Sequence, residues 1–91
     1  MALSMTDNAQ KSRFELVESG ETAYADYKNE NGVLTIKYVF APEALRGTGA
    51  AGRLMGDVAA HAREQNLKIV PLCGYAASWL RRHAEYADLV A

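Results

Sequence analysis

Arg46-Gly47-Thr48-Gly49-Ala50-Ala51-Gly52 is the stretch of this sequence best suited to hold an anion. It follows a β-branched and aromatic run, Val33 to Phe40, and opens a segment of helical periodicity. Its glycines and alanines leave the backbone bare, so several N–H groups at a helix start can converge on one ligand. Unpaired amides and the helix dipole together favour a phosphate or pyrophosphate there. The bland alternative is a glycine-rich turn that only redirects the chain.

Gly47-Thr48-Gly49-Ala50-Ala51-Gly52 also reads literally as G-x-G-x-x-G. Its surroundings oppose a dinucleotide site. A proline-containing loop, Ala41 to Arg46, separates it from its strand. The ribose-binding acid expected about twenty residues on would fall near Leu72, where no acid lies. No Lys-Ser or Lys-Thr follows, which excludes a nucleotide P-loop. Metal chemistry is not supported: Cys73, His61 and His83 lack ligand spacing.

The elements that would position this stretch are short. Arg13 to Val17, Thr22 to Lys28 and Val33 to Phe40 alternate as strands, the last with Leu34, Ile36, Tyr38 and Phe40 on one face. That face makes core packing the default for Tyr38. Glu18-Ser19-Gly20-Glu21 and Asn29-Glu30-Asn31-Gly32 read as hairpin loops. Pro42 ends the third strand. Gly49 to Gln65 reads as a helix with Ala51, Leu54, Met55, Val58 and Ala62 on one stripe, and Asn66 stops it. His61 on that helix is expected to be solvated. Leu67 to Leu72 is a fourth strand, returning parallel to the third by a right-handed crossover. Ser78 to His83 is a second helix anchored by Trp79 and Leu80, with the indole in the core. The order β-β-β-α-β-α makes an α+β (mixed α/β) layer of helices on a small sheet.

Composition bounds the rest. The chain has 91 residues, 49% of them apolar, enough for one domain and one core. A net charge of −1 gives no electrostatic case for nucleic acid or an anionic membrane. No apolar run is long enough to span a bilayer. The N-terminus has no apolar signal region, and the single Cys73 fits a reducing, cytoplasmic compartment. Residues 1–11 are expected to be disordered, with residues 12–91 as the domain. Met5 offers an alternative start, which would make Met1 to Ser4 a cloning scar.

Arg46-x-x-Gly49-x-Ala51 resembles the Arg/Gln-x-x-Gly-x-Gly/Ala signature of the GNAT superfamily of acetyl-CoA-dependent N-acetyltransferases. More of the chain is similar to a small branch of it, the short GNAT-like proteins of the YjdJ type. The resemblance runs through Ala41-Pro42-Glu43-Ala44-Leu45-Arg46-Gly47-Thr48-Gly49, then Pro71-Leu72-Cys73-Gly74-Tyr75 and Trp79, then His83-Ala84-Glu85-Tyr86-Ala87-Asp88-Leu89-Val90. It implies a truncated GNAT-like fold in which Arg46, Gly47, Thr48, Gly49, Ala50, Ala51 and Gly52 cradle the pyrophosphate of CoA or acetyl-CoA. Arg81 and Arg82 are then candidates for the adenosine phosphate, or simply an exposed helix face. Cys73 falls where the family places its cysteine and could accept the acetyl group, or only pack as a small hydrophobe. Tyr75 could protonate the leaving thiolate, or pack between strand and helix. One departure is clear. The family often has His-Thr-Glu-Val before the proline, and this chain has Tyr38-Val39-Phe40-Ala41, so two polar candidates for acid–base work are absent.

The resemblance implies acetyl transfer to an amine, small-molecule or protein, by direct attack on the thioester, with a backbone N–H of the fourth strand polarising its carbonyl. The alternatives are a CoA-binding module with little transfer and a structural or interaction domain with a vestigial phosphate loop. An exposed sheet edge allows monomer or homodimer.

Overall fold

The computed structural model describes residues 4–91. One five-stranded sheet is built in sequence order from β1 (Thr6–Asn8), β2 (Arg13–Glu18), β3 (Glu21–Glu30), β4 (Val33–Phe40) and β5 (Lys68–Pro71). The first four strands are antiparallel, and β5 returns parallel to β4. Helix α1 (Ala50–Glu64) makes the crossover, and α2 (Gly74–Arg82) comes after β5. Short 3-10 turns occupy Glu43–Leu45 and Ala84–Leu89. This is the expected α+β architecture with one strand more.

Local chemistry explains the connections. The β2–β3 and β3–β4 turns are two residues each, Ser19-Gly20 and Asn31-Gly32. All four have positive φ (51°, 75°, 54° and 78°), which matches the twist of the flanking strands. Asn66, just past the end of α1, has φ 58°, a conformation asparagine tolerates.

The extra strand corrects the sequence expectation for the N-terminus. Thr6–Asn8 pair with Arg13–Glu15 of β2. Met5 seats in the core, and the Ser4 and Met5 amides donate to Asp57 Oδ2 on α1 at 3.0 and 3.1 Å. The Tyr27 hydroxyl donates to Asp7 Oδ1 at 2.6 Å; burial and this bond push its pKa up to about 12. Asp57 and Tyr27, which anchor the strand, are remote in sequence, so no local pattern announces it. Met1 to Leu3 of the suggested scar lie outside the described residues.

One face of the sheet carries the core. Phe14, Leu16, Ala23, Ala25, Leu34 and Ile36 are buried there against Leu54, Met55 and Val58 of α1. His61 is half-buried, edge-on to Phe14 at 5.3 Å between ring centroids, rather than solvated.

A bulge in β4 turns over the end of that strand. Tyr27 pairs with Ile36, but Asp26 pairs with Tyr38, so Lys37 is an extra residue. An extra residue reverses the alternation beyond it. Val39 therefore packs toward the core, while Tyr38 is 50% exposed. Tyr38 and Phe40 lie with Tyr24 on the open face, where Tyr24 and Phe40 stack at 5.1 Å. The expected grouping of Tyr38 and Phe40 with Leu34 and Ile36 is thus corrected.

Leu54 has no exposed surface and Val17 is 64% exposed. Leu54→Ala should destabilise by about 2–5 kcal/mol through lost burial and a residual cavity. Val17→Ala should stay within about 0.5 kcal/mol. Urea unfolding followed by circular dichroism measures both.

Candidate functional site

The glycine-rich stretch forms the entry to α1. Gly49 caps the helix with φ 86°, a left-handed conformation that favours glycine. It has no side chain to satisfy the first-turn amides. Thr48 Oγ1 accepts the Ala50 N–H at 3.3 Å and donates to the Leu45 carbonyl at 2.5 Å. The Arg53 amide is the next to be paired, to the Gly49 carbonyl at 3.0 Å. Among the described residues, the Ala51 and Gly52 amides find no acceptor, and no acidic side chain lies in the first turn. The result is a positive, donor-only patch.

These amides border a cavity of about 230 Å³, lined by Ala41, Leu45, Arg46, the glycine-rich segment and Tyr75. Arg46 Nε donates to the Ala41 carbonyl at 3.0 Å, which folds the exposed side chain back along the cavity rim. A roomier groove of about 360 Å³ lies between α2 and the C-terminal turn. It is mainly apolar and holds no helix-start amides, so the smaller cavity is the better anion site.

One ion pair and one hydrogen bond from Arg53 hold the loop from outside. Arg53 donates to both carboxylate oxygens of Glu18 at 2.6 and 2.8 Å, and to the Thr48 carbonyl at 3.0 Å. The side chain thereby ties the loop to the end of β2. The Arg53 hydrogen bond is the main cause that holds the Glu18 carboxyl below its usual range. Sequence inspection missed this clamp, because Glu18 and Arg53 are remote in the chain.

Beyond the loop, β4 and β5 part. Their last pair is Ile36 with Pro71. The Ile36 carbonyl then accepts both the Leu72 and Cys73 amides, at 3.0 and 3.3 Å. The residues from Lys37 to Phe40 have no strand on that side. The Leu72 and Cys73 N–H groups at the end of the returning strand are thus engaged, and within the splay the free edge belongs to β4.

The other predicted residues separate into two groups. Tyr75 lies in the cavity wall, its hydroxyl 3.7 Å from where a Cβ on Gly52 would stand. It is on α2 because that helix begins at Gly74, four residues before the expected Ser78; the Cys73 carbonyl already accepts the Ala77 amide at 3.0 Å. Cys73 caps α2, half-buried and packed against the core beside the splay. Arg81 instead lines the separate 360 Å³ groove, and exposed Arg82 lies near the far end of α2. The structure does not bring Arg81 to the glycine-rich loop. Among the described residues, no group of three or more His, Cys, Asp or Glu side chains comes together to hold a metal.

A family model described as GCN5-related N-acetyl-transferase matches residues 13–89. The fold is similar to the solution NMR structure of a GCN5-like N-acetyltransferase candidate from Staphylococcus aureus. That match has a TM-score of 0.75 and 26% sequence identity, covering 98% of this chain and 88% of the other. A search of curated proteins gives no match.

Two outcomes test the loop geometry. In Gly49→Ala the new Cβ would stand 3.0 Å from Arg53 Nη1 at a positive φ. The strain of about 1–2 kcal/mol should lower the melting temperature. Gly74→Ala, with open space around it, should not. The second outcome concerns pH. Because the folded Glu18 pKa lies below its unfolded value, the Arg53 contact contributes stability above the ordinary carboxylate range. That stability is lost as pH falls through the lowered value. Glu18→Gln should lack this acid-dependent component when urea midpoints are compared at about pH 7 and about pH 3.

Proposed function

The chain belongs to the GCN5-related N-acetyltransferases, and from that membership we propose that it binds acetyl-CoA and transfers the acetyl group to an amine. The observation that carries this reading is the set of unpaired amides at the start of α1, opening on a cavity beside the splay of β4 and β5. The amides and Arg46 hold the pyrophosphate, with no side chain at Gly47 or Gly49 to obstruct the approach. The residues fit the cofactor, which would supply the thioester carbon that is attacked.

The chain's own part in the reaction follows from the splay. The free β4 edge, from Lys37 to Phe40, supplies backbone N–H groups that can polarise the thioester carbonyl. The neutral amine attacks the carbonyl carbon. The C–N bond forms, the C–S bond breaks, and the amine loses a proton to solvent. Tyr75 gives its proton to the departing thiolate and recovers one from solvent. Direct attack is favoured over an acetyl-Cys73 intermediate, because Cys73 packs half-buried against the core. A free thiol also fits a reducing, cytoplasmic setting.

A second reading is a CoA-binding module with little transfer. It is favoured by Tyr38 and Phe40, aromatic side chains on the open face where the related pattern has polar ones.

Calorimetry and thermal melting with CoA and acetyl-CoA test the shared core of both readings. At ligand about 100 times Kd, the expected stabilisation is about 2.7 kcal/mol. No shift at about millimolar ligand would refute both. Gly49→Val should abolish binding and leave a folded protein. Acetyl-CoA consumption with polyamines, lysine peptides and small amines separates enzyme from module. Cys73→Ala should retain turnover; loss of turnover with intact CoA binding would instead support the acetyl-cysteine route.

A further inference from the structure

Trp79 is core by area, only 5% exposed, yet one end of its indole has another environment. Cζ2 lies 3.9 Å from the point that a Cβ on Gly56 would occupy, and Nε1 lies 3.6 Å from the equivalent point on Gly52. The indole therefore lies along α1 with its nitrogen directed toward the glycine-rich loop, since Gly52 is one turn closer to it than Gly56. The Tyr75 hydroxyl approaches the same Gly52 position, at 3.7 Å. Two side-chain donors thus converge on Gly52, which with Tyr75 lines the 230 Å³ cavity.

The indole is also held in place. His83 stacks on it at 3.8 Å between centroids with the planes 13° apart. His83 Nδ1 lies 2.7 Å from the Trp79 carbonyl oxygen. An indole N–H can only donate, and a buried one ordinarily has an acceptor. Among the described residues no acceptor pairs with this one. Yet no side-chain nitrogen or oxygen that is fully buried among them lacks a partner, so Nε1 is not sealed. A donor neither paired nor sealed therefore stands beside Gly52, which lines the cavity.

We propose that Trp79 Nε1–H donates a hydrogen bond to an oxygen of the coenzyme A arm as it passes Gly52. The inference rests on the reading of the loop as a CoA cradle, and it gives the one tryptophan of the chain a binding role in addition to packing. It also accounts for Gly52: a side chain there would stand between both donors and the ligand.

Replacing Trp79 with β-(3-benzothienyl)alanine exchanges the N–H for sulfur and keeps the shape. The expected result is a Kd for CoA raised about 3- to 10-fold by calorimetry, with the melting temperature of the free protein unchanged. A Kd within about twofold of the unsubstituted protein's would overturn the assignment. Gly52→Ala is a second probe. Its methyl makes ordinary contact with both donors and favours the helix, so the protein should melt no lower, while CoA binding weakens. Unchanged affinity in that variant would also overturn it. If the unsubstituted protein fails to bind CoA, the cradle reading falls and this inference with it. Tight binding that survives loss of the indole N–H removes this inference alone.

Discussion

The ending of the β4–β5 pairing at Ile36 is the constraint on which the rest depends. One carbonyl there takes two amides, from Leu72 and Cys73, and β5 turns away into α2. That turn swings α2 against α1, where Trp79 meets Gly52 and Gly56. It brings Tyr75 into the wall of the cavity at the α1 entry. It also leaves the last residues of β4 without a neighbour on one side. A longer parallel pairing would close the splay and carry Tyr75 elsewhere.

The loop at the entry to α1 is shaped by what it lacks. Gly49 can adopt φ 86° because it has no Cβ, and the same absence leaves the first-turn amides uncapped. Such a bare turn would be mobile if nothing held it. Thr48 bonds to the carbonyl of Leu45 behind it, and Arg53 reaches from inside the helix to both Thr48 and Glu18. The amides are thereby fixed in direction while their donors stay free. A rigid set of unpaired donors loses little freedom on receiving an anion, which is the physical content of preorganisation.

The bulge at Lys37 gives the open face its character. Without it, Tyr38 and Phe40 would extend the buried row of Leu34 and Ile36. With it, they join Tyr24 in an aromatic patch on which Arg13 rests, its guanidinium carbon 3.8 Å from the Tyr24 centroid. This patch lies beside the free end of β4, on the opposite face of the sheet from α1. The last residues of β4 thus present stacked rings on this face.

The sequence by itself determined what local chemistry can specify. Alternating and helical periodicity marked β2 to β4 and α1, a short apolar run marked β5, the Ser19-Gly20 and Asn31-Gly32 turns set the hairpins, and the bare Arg46 to Gly52 stretch pointed to the proposed anion site. Each rests on interactions within a few residues, or on a period that comes from backbone geometry. Tertiary structure decided the rest. Edge strand β1 exists because β2, Asp57 and Tyr27 supply its partners. The early start of α2 put Tyr75 in the cavity wall, and Arg81 went to a separate groove. The face of Tyr38, the Glu18–Arg53 clamp and the free indole N–H depend on a register shift and on residues far apart in the chain. Spacing along one segment carries no record of which distant groups will meet it.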